Sequence, residues 1–215
     1  IVFFTGDNGG QDRFRSQKKP RGFFGPNANP KTGEEFRGGK GNLFEGGLRI
    51  PYLVRWPGKI PANTASSAIT STLDILPTFA AISGANSPKD RIVDGKNIWP
   101  ILSGMSNSHP RDAFFYYQME QLQAVRSGKW KLTLAMESKK RNWGKPEGKK
   151  ELALYNLKND IHEDKNVAKS NPQIVKKLQS LAESARKDLG DLNLVGKGQR
   201  EAGWVNAASP RLKEK

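Results

Sequence analysis

Apolar residues in this chain gather in short runs of strand or helix spacing, separated by long polar stretches. In "IVFFTGDNGG", Ile1 to Phe4 are β-branched or aromatic, the pattern of a buried strand, and Gly6-Asp7-Asn8-Gly9-Gly10 turns the chain at once. Residues 9 to 47 hold many Gly, Pro, Lys and Arg and follow neither a 2.0 nor a 3.6 period, so a long functional loop is expected there. Leu48 to Trp56 reads as a second buried strand closed by Pro57-Gly58. In "STLDILPTFAAISG" the residues Leu73, Ile75, Leu76, Phe79, Ala80 and Ile82 share one helical face, and Gly84 ends it. A short helical turn is expected over Ile98 to Leu102.

The pattern changes near His109-Pro110. "DAFFYYQ", "LQAVRSGKWKLTLAM" and "ELALYNL" predict three or four short strands in a small antiparallel sheet, with Ser127-Gly128 as a hairpin turn. Asn171-Pro172 then offers a cap and a first-turn proline. Ile174, Val175, Leu178, Leu181, Ala182, Ala185 and Leu189 mark one face of a helix stopped by Gly190, which should pack on that sheet. Three regions follow: 1–109, part of an α/β domain; 110–190, a small α+β unit; and 191–215, a basic surface arm.

Composition narrows the possible chemistry. The 215 residues suffice for a sizeable core, but only 35% are hydrophobic, and 22 glycines with 13 prolines favour ordered loops. Without cysteine there is no disulfide, thiolate metal site or thiol nucleophile, and His109 and His162 alone cannot build a multi-histidine centre. No apolar run approaches the roughly 20 residues that span a bilayer, and no signal-peptide pattern is present. The net charge of +15 concentrates in the loops 11 to 22 and 138 to 150. No zinc-finger spacing, RNP-type motif or basic recognition helix accompanies it, so nucleic acid is not the expected partner. An anionic glycan, or a solubilising surface, accounts for the same charge.

Asp7 and Asn8 offer a carboxylate and an amide oxygen at the end of a strand, donors suited to Ca²⁺ or Mg²⁺, although an ordinary turn has the same sequence. Lys40, flanked by glycines in "GGKGNLFEGG", can bring a compact positive charge to sulfate or phosphate oxygens; a plain surface loop is the alternative. The glycine spacing is not that of a phosphate loop. Glu45 and Arg49, four residues apart, suit an ion pair that fixes loop to strand.

Six segments in order, "FFTGDNGG", "GGKGNLFEGGLRIPYLVRWPGKI", "LDILPTFAAISGA", "DGKNIWPILSG", "AVRSGKWKL" and "LYNLKNDIHEDKNVA", resemble the C-terminal half of a type I, arylsulfatase A-like sulfatase. The resemblance implies an alkaline phosphatase-like α/β fold with a mixed sheet, followed by a small four-stranded antiparallel sheet and helix. It implies hydrolysis of sulfate esters by a formylglycine nucleophile, made from Cys or Ser in a Cys/Ser-x-Pro/Ala-x-Arg motif that belongs to the N-terminal half. Within this resemblance Asp7 and Asn8 match metal ligands, normally for Ca²⁺, and Lys40 matches the sulfate-binding lysine. Gly6 stands where many relatives have Ser. The loop from Ala135 to Lys150 lacks the histidine that some relatives place there, so the substrate stays open.

A sulfatase needing an N-terminal half, inactive as this chain alone and acting in the periplasm or after secretion, is the expected function. The alternatives are a phosphatase or phosphonate hydrolase of the same superfamily, or a non-catalytic fragment that binds sulfated polysaccharide through its basic loops.

Overall fold

A computed structural model describes residues 1–11, 27–29, 31–141, 145–199 and 206–207. The fold class is α/β, with two strands in the first region and an antiparallel sheet with a helix in the second. Strand β1 (Val2–Thr5) pairs antiparallel with β2 (Tyr52–Arg55), placing Phe4 opposite Leu53 and Thr5 opposite Tyr52. Between them lies a single helical turn, α1 (Glu45–Leu48). A 3-10 turn (Thr72–Asp74) leads into α2 (Ile75–Ser83), which Gly84 terminates with a left-handed φ of 74°. The turn α3 (Trp99–Leu102) follows.

One face of the β1–β2 ribbon packs on α2, where the Phe3 and Phe79 rings meet edge to face at 5.0 Å. Its other face carries Val2, Phe4 and Leu53, of which Val2 and Phe4 are 61% and 64% exposed. The expectation of two buried strands is therefore corrected. No described element covers that second face. The second strand is also shorter than expected, because Glu45–Leu48 coils into a helical turn and Pro51 has no N–H to offer a ladder.

The second region matches its sequence pattern closely. Strands β3 (Phe114–Gln118), β4 (Gln121–Ser127), β5 (Trp130–Thr133) and β6 (Ala153–Asn156) form a four-stranded antiparallel meander in chain order. The hairpin between β4 and β5 turns at Gly128-Lys129, one residue later than Ser127-Gly128, with Gly128 at a φ of 54°. Helix α4 (Pro172–Leu189) lies against one face of the sheet. Leu122, Val125, Leu132, Leu134 and Leu154 meet Leu178, Ala182 and Ala185 there in a closed apolar core. Asn171 does not cap the helix with its side chain, which turns back to donate to Val167 O at 2.9 Å.

Two tethers complete the frame. Buried Asp74 accepts the amides of Ser71 and Lys96, both at 2.8 Å, and pairs with Arg111, joining the 3-10 turn before α2 to the start of the second region. His109 Nδ1 accepts the Ile69 amide at 3.0 Å, a structural use of the ring. At the start of the expected arm, Lys197 N donates to Lys187 O and Gly198 N to Asp188 O, so 191–199 folds back along the surface at the end of α4. The basic loop 11 to 22, beyond Gln11, and the chain end from 208 lie outside the described residues.

Candidate functional site

The strand end that carries Asp7 and Asn8 and the loop that carries Lys40 are sewn together through glycines. Gly9 N donates to Gly47 O at 3.1 Å, and Lys40 N donates to Gly10 O at 2.8 Å. A Cβ on Gly9 would lie 2.3 Å from the Gly47 carbonyl carbon, so only glycine allows the two backbones to touch. Asn27 Nδ2 bridges the seam, donating to Gly10 O and Gly46 O at 3.0 Å each.

At this seam Asp7 is exposed, and among the described residues no side chain pairs with its carboxylate. Asn8 donates its amide to Gly9 O at 3.0 Å, which leaves its Oδ1 available to ligate. Lys40 is half-buried, and its ammonium has no partner among the described residues. These two hard oxygen donors fit one side of a cation shell. They do not complete it, and no cluster of three or more His, Cys, Asp or Glu stands among the described residues.

Glu45 and Arg49 form an ion pair at 2.6 Å, but Glu45 is also the hub of a larger buried network. Its carboxylate meets Lys131 at 3.1 Å and Arg126 at 3.3 Å. Lys131 reaches Glu163 at 2.9 Å and donates to Leu43 O at 2.7 Å. Glu163 Oε2 in turn accepts the Glu45 N–H at 2.7 Å. Burial raises the Glu45 pKa, yet the cations Lys131, Arg126 and Arg49 outweigh it and hold the carboxyl at about 2. For Glu163 burial prevails over Lys131 and lifts the carboxyl above its ordinary range. Burial works against the Lys131 ammonium, but Glu45 and Glu163 keep it above its usual value.

The register of the sheet explains this placement. Arg126, Lys131 and Tyr155 stand opposite one another on β4, β5 and β6, on the face turned away from α4. The glycine loop covers that face, and a lysine that strand alternation would send to solvent is buried instead. Gln118 adds a further tie, donating to Gly41 O at 2.9 Å beside Lys40. Sequence reasoning missed Arg126, Lys131 and Glu163, because these partners of Glu45 lie 81, 86 and 118 residues away along the chain.

The basic loop 138 to 150 flanks the same region. Lys139 lies 5.9 Å from the Phe44 ring, whose face also receives Arg37 at 4.2 Å. Glu147, the one acid of the loop, approaches Lys139, Arg141 and Lys150 at 3.7, 3.6 and 2.7 Å, so the loop keeps a large positive excess.

Residues 36–188, which hold the Lys40 loop, the four-stranded sheet and nearly all of α4, match the family described as N-sulphoglucosamine sulphohydrolase, C-terminal. The chain is 38% identical to steryl-sulfatase of Mus musculus over 135 residues, 61% of this chain and 20% of that protein. It is 49% identical to an arylsulfatase of Hemicentrotus pulcherrimus over 96 residues, 45% of this chain and 17% of the relative. A solved structure described with the metabolism of multiple glycosaminoglycans by Bacteroides thetaiotaomicron superposes on 86% of this chain and 38% of its own, with a TM-score of 0.65 and 30% identity. The chain thus spans about a fifth of the length of the curated relatives it matches. On the family match and the shared alkaline phosphatase-like fold, the chain belongs to the sulfatase family and corresponds to its C-terminal region.

Proposed function

We propose that this chain forms part of the active site of a sulfuric ester hydrolase, with Lys40 binding the sulfate group and Asp7 with Asn8 ligating a divalent cation. The glycine seam carries the reading: Gly9–Gly47 and Gly10–Lys40 hold on one backbone unit an amide oxygen with a carboxylate and an ammonium that have no partner among the described residues. Lys40 acts as a compact positive charge on a non-bridging sulfate oxygen, where negative charge grows in the transition state. Asp7 and Asn8 suit Ca²⁺, with Mg²⁺ as the second choice, and the bound cation supplies charge to hold the sulfate and the nucleophile. The remaining ligands come from outside this chain.

The nucleophile in this scheme is a formylglycine. The chain has no cysteine and no serine in the required Ser-x-Pro/Ala-x-Arg setting, so an N-terminal sulfatase half supplies it and the chain alone is inactive. The substrate is an aryl or carbohydrate sulfate ester, a reading favoured by the likeness to an arylsulfatase and to a structure described with glycosaminoglycan metabolism, and the setting in this reading is periplasmic or extracellular.

The test is turnover of an aryl sulfate beside the matching aryl phosphate by the intact protein. Hydrolysis of the sulfate ester supports the reading. Turnover of the phosphate alone would assign the site to a phosphatase or phosphonate hydrolase of the same superfamily.

A further inference from the structure

Buried charge in proteins is a poor source of stability. Replacing a buried ion pair by apolar groups of similar volume is often neutral or favourable, because desolvation offsets the Coulomb attraction. Lys131 and Glu163 are nevertheless 1% and 0% exposed, and among the described residues their polar contacts with the first region go to one short segment. Lys131 Nζ takes Leu43 O and the Glu45 carboxylate, while Glu163 Oε2 takes the Glu45 N–H. The Glu163 carbonyl also accepts Arg37 Nη1 at 2.9 Å, and Arg37 O in turn accepts the Gly46 amide at 2.9 Å. Residues 37 to 46, which include Lys40, are therefore gripped near both ends by one lysine and one glutamate of the second region.

Glu163 has a left-handed backbone, with a φ of 62°, a conformation that is unfavourable for a residue bearing a side chain. In that conformation its carbonyl and its carboxylate both engage the loop, an arrangement whose cost is met for geometry and not for burial. We propose that Lys131 and Glu163 are positioning residues that set the Lys40 loop against the Asp7–Asn8 strand end, making the C-terminal sheet part of the active-site machinery. The proposal rests on the sulfatase reading for the role of Lys40. The grip continues through Gly46 and Gly47 to Gly9, so a slip at β5 displaces the ammonium and the oxygen ligands relative to each other.

Amide hydrogen exchange on the intact protein, read at Gly9, Lys40, Gly46 and Gly47, tests it. Glu163→Ala removes the acceptor for Glu45 N–H and should speed exchange at these amides roughly tenfold or more, with β4 and α4 unchanged. Glu163→Gln keeps a side-chain acceptor at the same length and should stay within about threefold of the parent. Lys131→Met strands two carboxylates, so the paired variant K131M/E163Q serves as its fold-compatible form and should also loosen the loop, through loss of the Leu43 anchor. In the aryl sulfate assay Glu163→Ala should lower kcat more than it raises KM, and Glu163→Gln should restore it. Unchanged loop exchange, or equal loosening of loop and sheet, would overturn the proposal. Exchange is read without turnover, so a failure of the sulfatase reading would show separately, as absence of any sulfate ester hydrolysis.

Discussion

Lys131 of β5 and Glu45 of the glycine loop meet at 3.1 Å with both side chains 1% exposed, so a strand of the second region holds the segment that presents Lys40. Removing Glu45 leaves the buried Lys131 with Glu163 as its one remaining carboxylate among the described residues and takes the counter-charge from Arg126 and Arg49. Glu45→Ala should cost roughly 3–5 kcal/mol, read as a lower urea midpoint at unchanged slope.

The same carboxyl gives the fold a pH dependence. Glu45 sits at about 2 when folded against 4.5 ordinarily, so its contribution is complete above pH 4.5 and is lost as pH falls toward 2. That shift corresponds to roughly 3 kcal/mol. Glu163 acts in the opposite sense, because its raised value means that the folded state holds the proton more tightly; stability declines as pH rises above 4.5 through that value. Denaturation across pH 2 to 8 should show both slopes, and Glu163→Gln should remove only the second.

Gly9→Ala should separate the strand end from the Lys40 loop, since the added methyl meets the Gly47 backbone at 2.3 Å. A loss of roughly 1–3 kcal/mol or more is expected, along with reduced sulfate ester turnover. Gly148→Ala, where nothing lies within 4 Å, is the matched control and should change stability by less than about 0.5 kcal/mol.

The basic loop gives a different expectation. Glu147 is shared by Lys139, Arg141 and Lys150, which leaves the loop strongly positive, while the sulfate site is assigned to Lys40. Neutralising Lys139, Lys140, Arg141, Lys149 and Lys150 together should lower the salt at which the protein elutes from heparin, while turnover of a small aryl sulfate stays within about twofold. Loss of aryl sulfate turnover would move the loop into the chemical site.

The sheet and helix of the second region were legible because their alternation and 3.6 spacing are local properties of the chain. Val125, Leu132 and Leu154 declare an inward face wherever the strands end up. What alternation does not reveal is what covers the opposite face, and so the burial of Lys131 was invisible until the glycine loop was seen lying on it. The turn at Glu45–Leu48 was unreadable for a related reason: two glycines are poor helix formers, and their shape is imposed by contact with Gly9 and Gly38. Asp7, Asn8 and Lys40 were identified as separate motifs. Their joining through Gly9, Gly10 and Gly47 is tertiary, and Asn27, which bridges that seam, carries no sequence signal of its own.

The central claim is that Lys40 neutralises the sulfate group in the transition state. Its most direct test is kcat/KM for an aryl sulfate in the Lys40→Ala variant of the intact protein, with the fold verified by an unchanged urea midpoint. A loss of roughly 10²–10³-fold, carried mainly by kcat, is predicted. Retention of the parent kcat/KM in a folded Lys40→Ala protein would contradict it.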